Sequence, residues 1–275
     1  MDQPLQAGLY IVATPIGNLG DLSARARAIL CGVAAVACED TRVTGKLMQH
    51  IGHKQKLVRY DDHASEATRD HLLAMAALQP VALVSDAGTP LVSDPGYKLV
   101  RAARERGIKV TSVPGPSAPV VALSLSGLPS DRFLFAGFLP AKDKARGAVL
   151  DELGAVRTTL VFFDTAPRLL ASLTVIDDRL PGREVAVARE LTKMFEECRS
   201  GSPAELIAHY TAHPPRGEIV LLIGPPVDCA ATADDGDALL IEALKAHKPS
   251  QAAAEVARAT GLDRKALYAR ALELK

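Results

Sequence analysis

The sequence predicts an α/β protein with two α/β domains, the first built on a mostly parallel sheet, followed by a helical tail. From Leu9 to Val113, short apolar, β-branched runs alternate with amphipathic segments at the spacing of βαβ units. Beyond about Ser130 the segments between apolar runs become longer and mixed, which favours a partly antiparallel second sheet. The predicted boundaries are residues 1–120, 121–228 and 229–275.

The first domain is predicted to contain five strands and four helices. The predicted strands are LYIVAT (9–14), VAAVAC (33–38), KLVRY (56–60), VALVSD (81–86) and KVTSV (109–113). The predicted helices are DLSARARAILCG capped by Asp21, TRVTGKLMQHIG, ATRDHLLAMAAL, and YKLVRAARERG closed by Gly107. Each of the first four strands is followed by a helix, so the carboxyl ends of the strands should share one edge of the sheet.

The second domain and the tail follow a different pattern. Strands are predicted at LVFF (160–163), REVAVAREL (183–191) and GEIVLLIG (217–224), and the acidic stretch after Cys229 is predicted to be a linker that runs into a helix. In the tail, Ser250 and Asp263 are predicted to cap two helices around a TGLD turn, as in a helix-turn-helix. From Lys245 to Lys275, seven basic residues stand against three acidic ones, a local charge of +4. This segment is predicted either to contact RNA or to be a small helical cap.

Charge balance, cysteine spacing and the length of apolar runs restrict what this protein is expected to bind and where it is expected to work. Lys plus Arg and Asp plus Glu number 32 each, so a polyanion would have to be bound by a local patch. The four cysteines form no CxxC pair, which favours reduced thiols over a disulfide frame or zinc site. The N-terminus shows no secretory leader, and no apolar run is long enough to cross a membrane. We therefore expect a cytoplasmic protein without membrane attachment.

Polar chemistry is concentrated after four of the predicted strands. The loops are TPIGN, CEDTR, SDAGTP and PGPSAP, and the third opens the stretch VSDAGTPLVSDPGY (84–97). In open parallel sheets, ligands bind outside the carboxyl ends of the strands. Glycines such as Gly88 and Gly115 permit close backbone approach, while no GxGxxG, no GxxxxGK[ST] and no cluster of metal ligands is present. The pattern predicts a rigid pocket for a small ligand with a ribose and an adenine, bound without a metal.

Six motifs closely resemble the ribosomal RNA small subunit methyltransferase I family. They are TPIGNLGDLSARA, EDTRVTGKL, VSDAGTPLVSDPGY, VPGPSA, SGLPSDRFLFAGFLP and ARELTKMFEE, in that order. The resemblance implies the tetrapyrrole-methylase fold, a class III methyltransferase fold in which S-adenosyl-L-methionine binds in a cleft between two α/β domains. It also implies 2′-O-ribose methylation of a decoding-centre cytidine in 16S rRNA of the small ribosomal subunit, and a homodimer.

The resemblance also implies roles for particular residues. The expected cofactor-binding residues are Pro15, Asp86, Gly88, Thr89, Ser117, Ala118, Phe163 and Gly224. The expected catalytic residues are Glu39, Asp40 and Arg42, because they follow a predicted strand that ends at the same cleft. Glu39 or Asp40 is expected to orient the ribose hydroxyl, and Arg42 to hold a flanking phosphate. An internal Asp–Arg pair that stabilises the loop is the alternative. The expected RNA-binding residues are Asn18, Lys46, Arg189, Glu190, Lys193, Arg264 and Lys265.

Two positions depart from the family pattern, and two other functions remain open. Val43 and the segment DTAPR (164–168) stand where the family usually has histidine and Glu-Ser-Pro-His-Arg. A mechanism that depends on either histidine is therefore not expected here. The alternatives are a methyltransferase of the same fold acting on a tetrapyrrole or corrin precursor, and a non-enzymatic ligand-sensing regulator whose tail binds DNA.

Overall fold

The computed structural model describes residues 5–61, 63–226, 233–260 and 262–274; for residues 233–236, 258 and 259 it describes the backbone alone. The chain forms two compact units, residues 1–225 and residues 226–275. The first unit contains two five-stranded sheets, and the second contains helices. Within the described residues no helix is long and apolar enough to cross a membrane.

The first sheet is entirely parallel, as predicted. Its strand order is β3-β2-β4-β1-β5, with β1 Gly8–Val12, β2 Ala35–Cys38, β3 Leu57–Arg59, β4 Pro80–Val84 and β5 Val110–Val113. Helices cover both faces: α1 (Ala24–Gly32) and α2 (Thr41–Ile51) pack on one, and α3 (Glu66–Leu78) and α4 (Tyr97–Glu105) on the other. A sheet buried on both faces needs apolar residues at successive positions, which explains the continuous rather than alternating runs.

The second sheet is mixed, which confirms the predicted change of pattern. Its order is β6-β7-β10-β8-β9, with β6 Phe133–Phe138, β7 Thr159–Thr165, β8 Val185–Arg189, β9 Glu197–Gly201 and β10 Glu218–Ile223. The pair β6–β7 is parallel and the other three pairs are antiparallel. Strands β6 and β9 were not predicted. The second of these, ECRSG, carries too few apolar residues for the periodicity to show.

Helices also cover the second sheet. Helix α5 (Ala118–Ser126) packs on the face that carries Val161, Ala186 and Val220. Helices α6, α7 and α8 pack on the other face; they span Asp143–Gly154, Leu169–Arg179 and Pro203–Ala212. The predicted boundary between residues 120 and 121 stays a prediction, and it falls inside α5.

Two predicted helix caps were wrong. Helix α1 is capped by Ser23, whose hydroxyl accepts the Ala26 N–H at 3.0 Å, and not by Asp21. Asp21 instead ends a short 3-10 turn that begins at Leu19. Ser250 is the second residue of α10, which begins at Pro249, so it lies inside the helix it was expected to cap. A proline at the first helical position explains this start, since its missing N–H costs nothing there.

The second unit is a three-helix assembly with its own core. It comprises α9 (Ala233–Ala246), α10 (Pro249–Thr260) and α11 (Arg264–Glu273). Leu240, Val256 and Leu267, one from each helix, are buried together. Asp263 caps α11 as predicted, accepting the N–H groups of Lys265 and Ala266. Gly261 of the predicted turn and Cys229 of the predicted linker lie outside the described residues.

Acidic residues of α9 offset the basic charge of the tail. Arg270 contacts Asp237 of α9 at 2.5 Å and Glu273 at 2.7 Å, and Lys245 pairs with Glu242. Over residues 226–275, seven Lys and Arg stand against eight Asp and Glu. Any attraction for a polyanion must therefore come from a local surface of this unit. The exposed Arg264 and Lys265 in the first turn of α11 provide one such surface.

Arg183 joins three parts of the first unit from a buried position. Its guanidinium donates to the carbonyl oxygens of Gly154 and Thr158, each at 3.2 Å, and to that of Gly224. Burial lowers the pKa of this side chain. We expect Arg183→Met to lower the free energy of unfolding by about 2–4 kcal/mol, because the carbonyls lose their donors and stay buried. Denaturant titration measures this, with the exposed Arg216→Met as the matched control; equal stability of the two variants would contradict the prediction.

Candidate functional site

The four polar loops predicted to follow strands meet at one edge of the first sheet. Thr14 and Gly88 exchange backbone hydrogen bonds of 2.9 and 3.1 Å, which join the loop after β1 to the loop after β4. The Thr89 hydroxyl donates to the Pro116 carbonyl at 3.0 Å, and the Asp40 N–H donates to Asp86 Oδ1 at 3.1 Å. The four loops therefore form one connected structure.

A pocket of about 310 Å³ lies against these loops, within the first unit. One wall belongs to the loops of the first sheet and the N-terminus of α5: Ile16, Asp86, Gly88, Thr89, Ser117 and Ala118. Strands β7 and β10 of the second sheet, with the segments beside them, form the other: Phe163, Thr165, Leu191, Gly217, Glu218 and Val220. The pocket therefore lies between the two sheets, as expected for a cleft-bound ligand.

The structure brings most of the predicted cofactor-binding residues to this pocket. Asp86, Gly88, Thr89, Ser117, Ala118 and Phe163 line it. Two predicted cofactor-binding residues, Pro15 and Gly224, are not among the residues that line the pocket. Ile16, the neighbour of Pro15, provides the lining at that point, and Gly224 is buried at the end of β10 against Glu184 and Leu128. Four of the lining residues that the sequence did not indicate lie in or next to β10, because pairing between distant strands has no local signal: Gly217, Glu218, Ile219 and Val220.

The loop from Ser85 to Gly96 holds an unusual backbone. Gly88 has φ +81°, and a Cβ there would lie 3.3 Å from Ile16 Cγ2. Leu91 and Ser93 also adopt positive φ, at 73° and 64°, although neither is glycine. Such conformations cost about 1–3 kcal/mol each and persist where the surroundings impose them, most often at functional sites. This loop is therefore held in shape before any ligand arrives.

Two carboxylates stand on the same wall of the pocket. Asp86 was predicted, whereas Asp94 of VSDPGY lines the pocket and was missed. Burial raises the pKa of Asp94, the charge of Asp86 adds to the rise, and a hydrogen bond from Ser85 opposes it. With Phe138, Phe163 and Val92 also in the lining, the pocket offers an apolar surface together with negative potential. This combination suits a ligand that has a flat ring and a positive charge.

The EDTR loop is stabilised by an internal Asp–Arg pair. Asp40 caps α2 by accepting the Arg42 N–H at 2.8 Å, and its other oxygen contacts Arg42 Nη2 at 2.6 Å. The Arg42 guanidinium lowers the pKa of the Asp40 carboxyl to about 2. Arg42 nevertheless stays 86% exposed, with the exposed Lys46 one turn further along the helix. Glu39 is half-buried beside them. The internal Asp–Arg pair, which was the alternative interpretation of this loop, is therefore present. It leaves the Arg42 guanidinium accessible to solvent.

The charged residues of ARELTK are engaged within the protein. Arg189 pairs with Glu197 at 2.6 Å, and Lys193 contacts Glu190 at 2.9 Å and Glu218 at 2.8 Å. A hydrogen bond from Lys193 lowers the pKa of Glu190. The expectation that Arg189, Glu190 and Lys193 contact the RNA stays a prediction, and both cations already have carboxylate partners in the protein. These pairs shape the loop between β8 and β9 beside the pocket.

The structure also places the DTAPR segment, Asn18 and two basic residues of the tail. Asp164 and Arg168 of DTAPR form an ion pair of 3.0 Å at the start of α7, with the Asp164 carboxylate buried. The Asn18 side chain accepts the Gly20 N–H at 2.9 Å, which fixes the turn after β1. Arg264 and Lys265 lie in the second unit. No group of three or more His, Cys, Asp or Glu side chains that could hold a metal occurs among the described residues.

Comparison with known proteins decides the family. The model of the tetrapyrrole (corrin/porphyrin) methylases matches residues 8–207, and that of the RsmI C-terminal HTH domain matches residues 230–275. A ribosomal RNA small subunit methyltransferase I from Erythrobacter litoralis is 60% identical over 99% of this chain and 97% of its own length. The Escherichia coli O157:H7 protein of the same name is 45% identical over 98% of this chain and 96% of its own.

The chain belongs to the ribosomal RNA small subunit methyltransferase I family. Solved structures confirm the fold. A diphthine synthase aligns with TM-score 0.63 and 14% identity, over 78% of this chain and 89% of that one. A uroporphyrin-III-C-methyltransferase from Thermus thermophilus aligns with TM-score 0.55 and 24% identity, over 80% and 94%. Family membership thus confirms the resemblance carried by the six sequence motifs, and the helix-turn-helix match confirms the predicted architecture of the tail.

Proposed function

We propose that this protein transfers a methyl group from S-adenosyl-L-methionine to the ribose 2′-hydroxyl of a decoding-centre cytidine in 16S rRNA. The observation that carries the proposal is the pocket at the strand ends, in a chain whose full-length relatives are named for small-subunit rRNA methylation. The EDTR loop adjoins that pocket through the hydrogen bond from Asp40 to Asp86, so a second reactant bound there would be close to the first.

The residues of the pocket fit this cofactor. Phe163, Ile16 and Val220 offer apolar surface for the adenine, and the backbone of loop 86–89 offers donors and acceptors for its polar edges. Asp86 and Asp94 suit the positive charges of the ammonium and sulfonium groups. The first turn of α5, at Ser117 and Ala118, has N–H groups without helical partners that suit a carboxylate. When bound, the cofactor supplies a methyl group on a positively charged sulfur.

We propose that the EDTR loop receives the ribose and a neighbouring phosphate. The exposed Arg42 guanidinium provides a planar fork for phosphate oxygens, and Lys46 adds a second cation. Asp40 holds Arg42 in place and, as an ionised carboxylate, can accept a hydrogen bond from a ribose hydroxyl. Glu39 is the other acceptor in this loop. Positioning contributes strongly to a displacement of this kind, because both reactants must be aligned.

Asp40 is expected to orient the hydroxyl rather than remove its proton. Because the pKa of its carboxyl is about 2, it stays ionised at all pH values where the enzyme would be assayed, and it is a weak base. We expect Asp40→Asn to lower turnover by less than about tenfold, against about 10²–10⁴-fold for loss of a general base. The plot of turnover against pH should keep its shape in this variant.

The same measurement on Arg42→Ala and Glu39→Gln completes the test. Arg42→Ala should raise KM for the RNA and leave cofactor affinity near normal, because its side chain points to solvent and not into the pocket lining. A pH-dependent loss of more than 100-fold in Asp40→Asn would contradict the assignment and restore Asp40 as the base. If the same loss appeared in Glu39→Gln alone, the base would be Glu39.

We propose further that the second unit contacts RNA through the start of α11. Arg264 and Lys265 are exposed there, and a helix-turn-helix commonly places its second helix against nucleic acid. The proposal includes a homodimeric state, which follows from the family resemblance, and a cytoplasmic location, which the isolated cysteines favour. Sedimentation analysis tests the homodimer.

The deciding experiment is mass spectrometry of 16S rRNA from a strain that lacks the gene. We expect one decoding-centre cytidine to lose a methyl mass on its ribose, and purified protein with cofactor to restore it on small subunits from that strain. A wild-type rRNA pattern in the deletion strain would contradict the proposal. Methylation of a tetrapyrrole by the purified protein would favour the rival of the same fold, and duplex DNA binding without methyl transfer would favour the regulator.

A further inference from the structure

Two large apolar side chains project into solvent at the tip of the hairpin between β8 and β9. Met194 is 91% exposed and Phe195 is 67% exposed, although the segment that carries them begins at the buried Leu191. Among the large hydrophobic residues that the structure describes, Met194 is the most exposed. Aromatic residues and methionine are enriched in contact surfaces relative to the rest of a protein surface. We call residues 190–196 the hairpin loop.

The hairpin loop is ordered by its own contacts. Lys193 N donates to Glu190 O at 3.0 Å, Glu196 N donates to Lys193 O at 3.1 Å, and Thr192 N donates to the Glu196 carboxylate at 2.6 Å. Glu190 and Thr192 adopt positive φ, at 49° and 66°. Gly217 makes room for the Glu190 side chain, which a Cβ at that position would overlap. These contacts hold the loop in one shape, so the exposure of its tip is a property of the folded structure.

The loop borders the pocket on the side of the polar loop after β1. Leu191 lines the pocket and packs in the same core cluster as Ile16. The next residue after Ile16 is Gly17, and a Cβ added there would lie 2.6 Å from Lys193 Cγ. The hairpin loop and the polar loop after β1 are therefore in direct contact. Met194 and Phe195 follow within two residues. The tip of the hairpin loop is therefore within two residues of the contact between the two loops.

The size and surroundings of the tip favour a small planar partner. Two side chains provide far less surface than the roughly 800 Å² per partner of a stable protein interface. Charged groups flank them: Lys193 with Glu190 and Glu218, and Glu196. A nucleobase has an apolar face and a polar edge, and proteins that bind unpaired RNA stack such bases on aromatic side chains.

We propose that Phe195, supported by Met194, stacks on a nucleobase adjacent to the nucleotide that is methylated. The inference rests on the proposed function. It assigns a positioning role to the hairpin loop through its exposed apolar tip, because the charged side chains of the loop are paired within the protein. The ring would hold an unstacked base while the ribose of its neighbour lies at the pocket. Phe195 is therefore a positioning residue for the RNA and has no contact with the reacting atoms.

The test is steady-state methylation of unmethylated small ribosomal subunits by full-length variants. We expect Phe195→Ala to raise KM for the subunits by about 10- to 100-fold, the range for loss of one stacked base. Turnover at saturation and the Kd for S-adenosylmethionine should stay near wild type. Phe195→Trp should restore KM, and Phe195→Leu should not, because leucine keeps the apolar bulk without the flat ring. Met194→Ala should have a smaller effect on KM.

Phe133→Ala is the matched control. That phenylalanine is 44% exposed on the same sheet but lies at the opposite end of β6 from Phe138, which lines the pocket. An unchanged KM in Phe195→Ala, or full rescue by leucine, would overturn the stacking role. A variant that loses dimerisation in sedimentation together with activity would show that the tip contacts a second copy instead. Wild-type protein that fails to methylate the subunits would overturn the proposed function itself, which separates the two failures.

Discussion

Replacement of Gly88 by valine is expected to abolish binding of S-adenosylmethionine while the protein stays folded. Gly88 has φ +81°, where a β-branched residue is strained, and its Cβ would lie 3.3 Å from Ile16 Cγ2 and 3.7 Å from the Pro116 carbonyl oxygen. Valine also adds two methyl groups beyond that Cβ. The two hydrogen bonds between Thr14 and Gly88 would have to break or shift, and they join two loops of the pocket. We expect the Kd measured by calorimetry to rise by more than about 100-fold, equivalent to about 3 kcal/mol.

Gly107→Val separates this effect from backbone strain alone. Gly107 follows α4, is exposed and has φ +69°. A Cβ added at Gly107 would have no other atom within 4 Å. Both variants should lose about 1–2 kcal/mol of stability from the left-handed conformation, but only Gly88→Val should lose the cofactor. Equal cofactor affinity in the two variants would mean that the ligand binds elsewhere.

Removal of residues 227–275 is expected to leave cofactor binding intact and to lower methylation of small subunits by about 100-fold or more. The buried clusters of the first unit contain no residue beyond Ile223, and the second unit has a core of its own. A cut at Ser250 would be a poorer experiment, because it removes α10 and α11 and exposes Leu240 of α9, which they help to bury. The cut after Pro226 leaves no such half-core.

The double variant Arg264→Ala, Lys265→Ala tests the charge component of this effect. If both side chains contact phosphates, the plot of log affinity for the subunits against log salt should flatten by about 1 to 2 in slope. Lys248→Ala is a control in the same unit, outside α11. Loss of cofactor affinity in the truncated protein would instead show that the tail stabilises the first unit.

The sequence was most informative where a feature depends on neighbouring residues. The five parallel strands were predicted because each combines an apolar run with an adjoining amphipathic segment. Asp263 was recognised as a cap because a helix cap needs only the residues that follow it. Asp21 and Ser250 were misplaced for the same local reason: several residues near each helix start can cap it, and the backbone selects one. Strand β9 was missed because its pairing with β8 compensates for its weak apolar pattern.

The candidate site likewise contains residues that local sequence motifs indicate and residues that only tertiary contacts bring to it. The family resemblance indicated six pocket-lining residues. Five of them lie in polar loops after parallel strands, which share one edge of the sheet, and the sixth is Phe163 of β7. Glu218 and Val220 entered the lining only through the pairing of β10 with β7 and β8, strands separated from it by dozens of residues. The ion pairs of Arg189 and Lys193 likewise depend on partners that no spacing rule predicts.

By itself, the sequence determined the class of fold, the polar edge of the first sheet, the helical tail and the family. Those features follow from short-range periodicity, from turn chemistry and from motifs that are contiguous in the chain. Tertiary structure alone decided which charges remain available to a substrate, because availability depends on whether a partner lies within a few ångströms. It decided that Asp40 pairs with Arg42, that the ARELTK cations are paired, and that Met194 and Phe195 are exposed. Side-chain burial and pairing are properties of the packed chain, and contiguous motifs do not encode them.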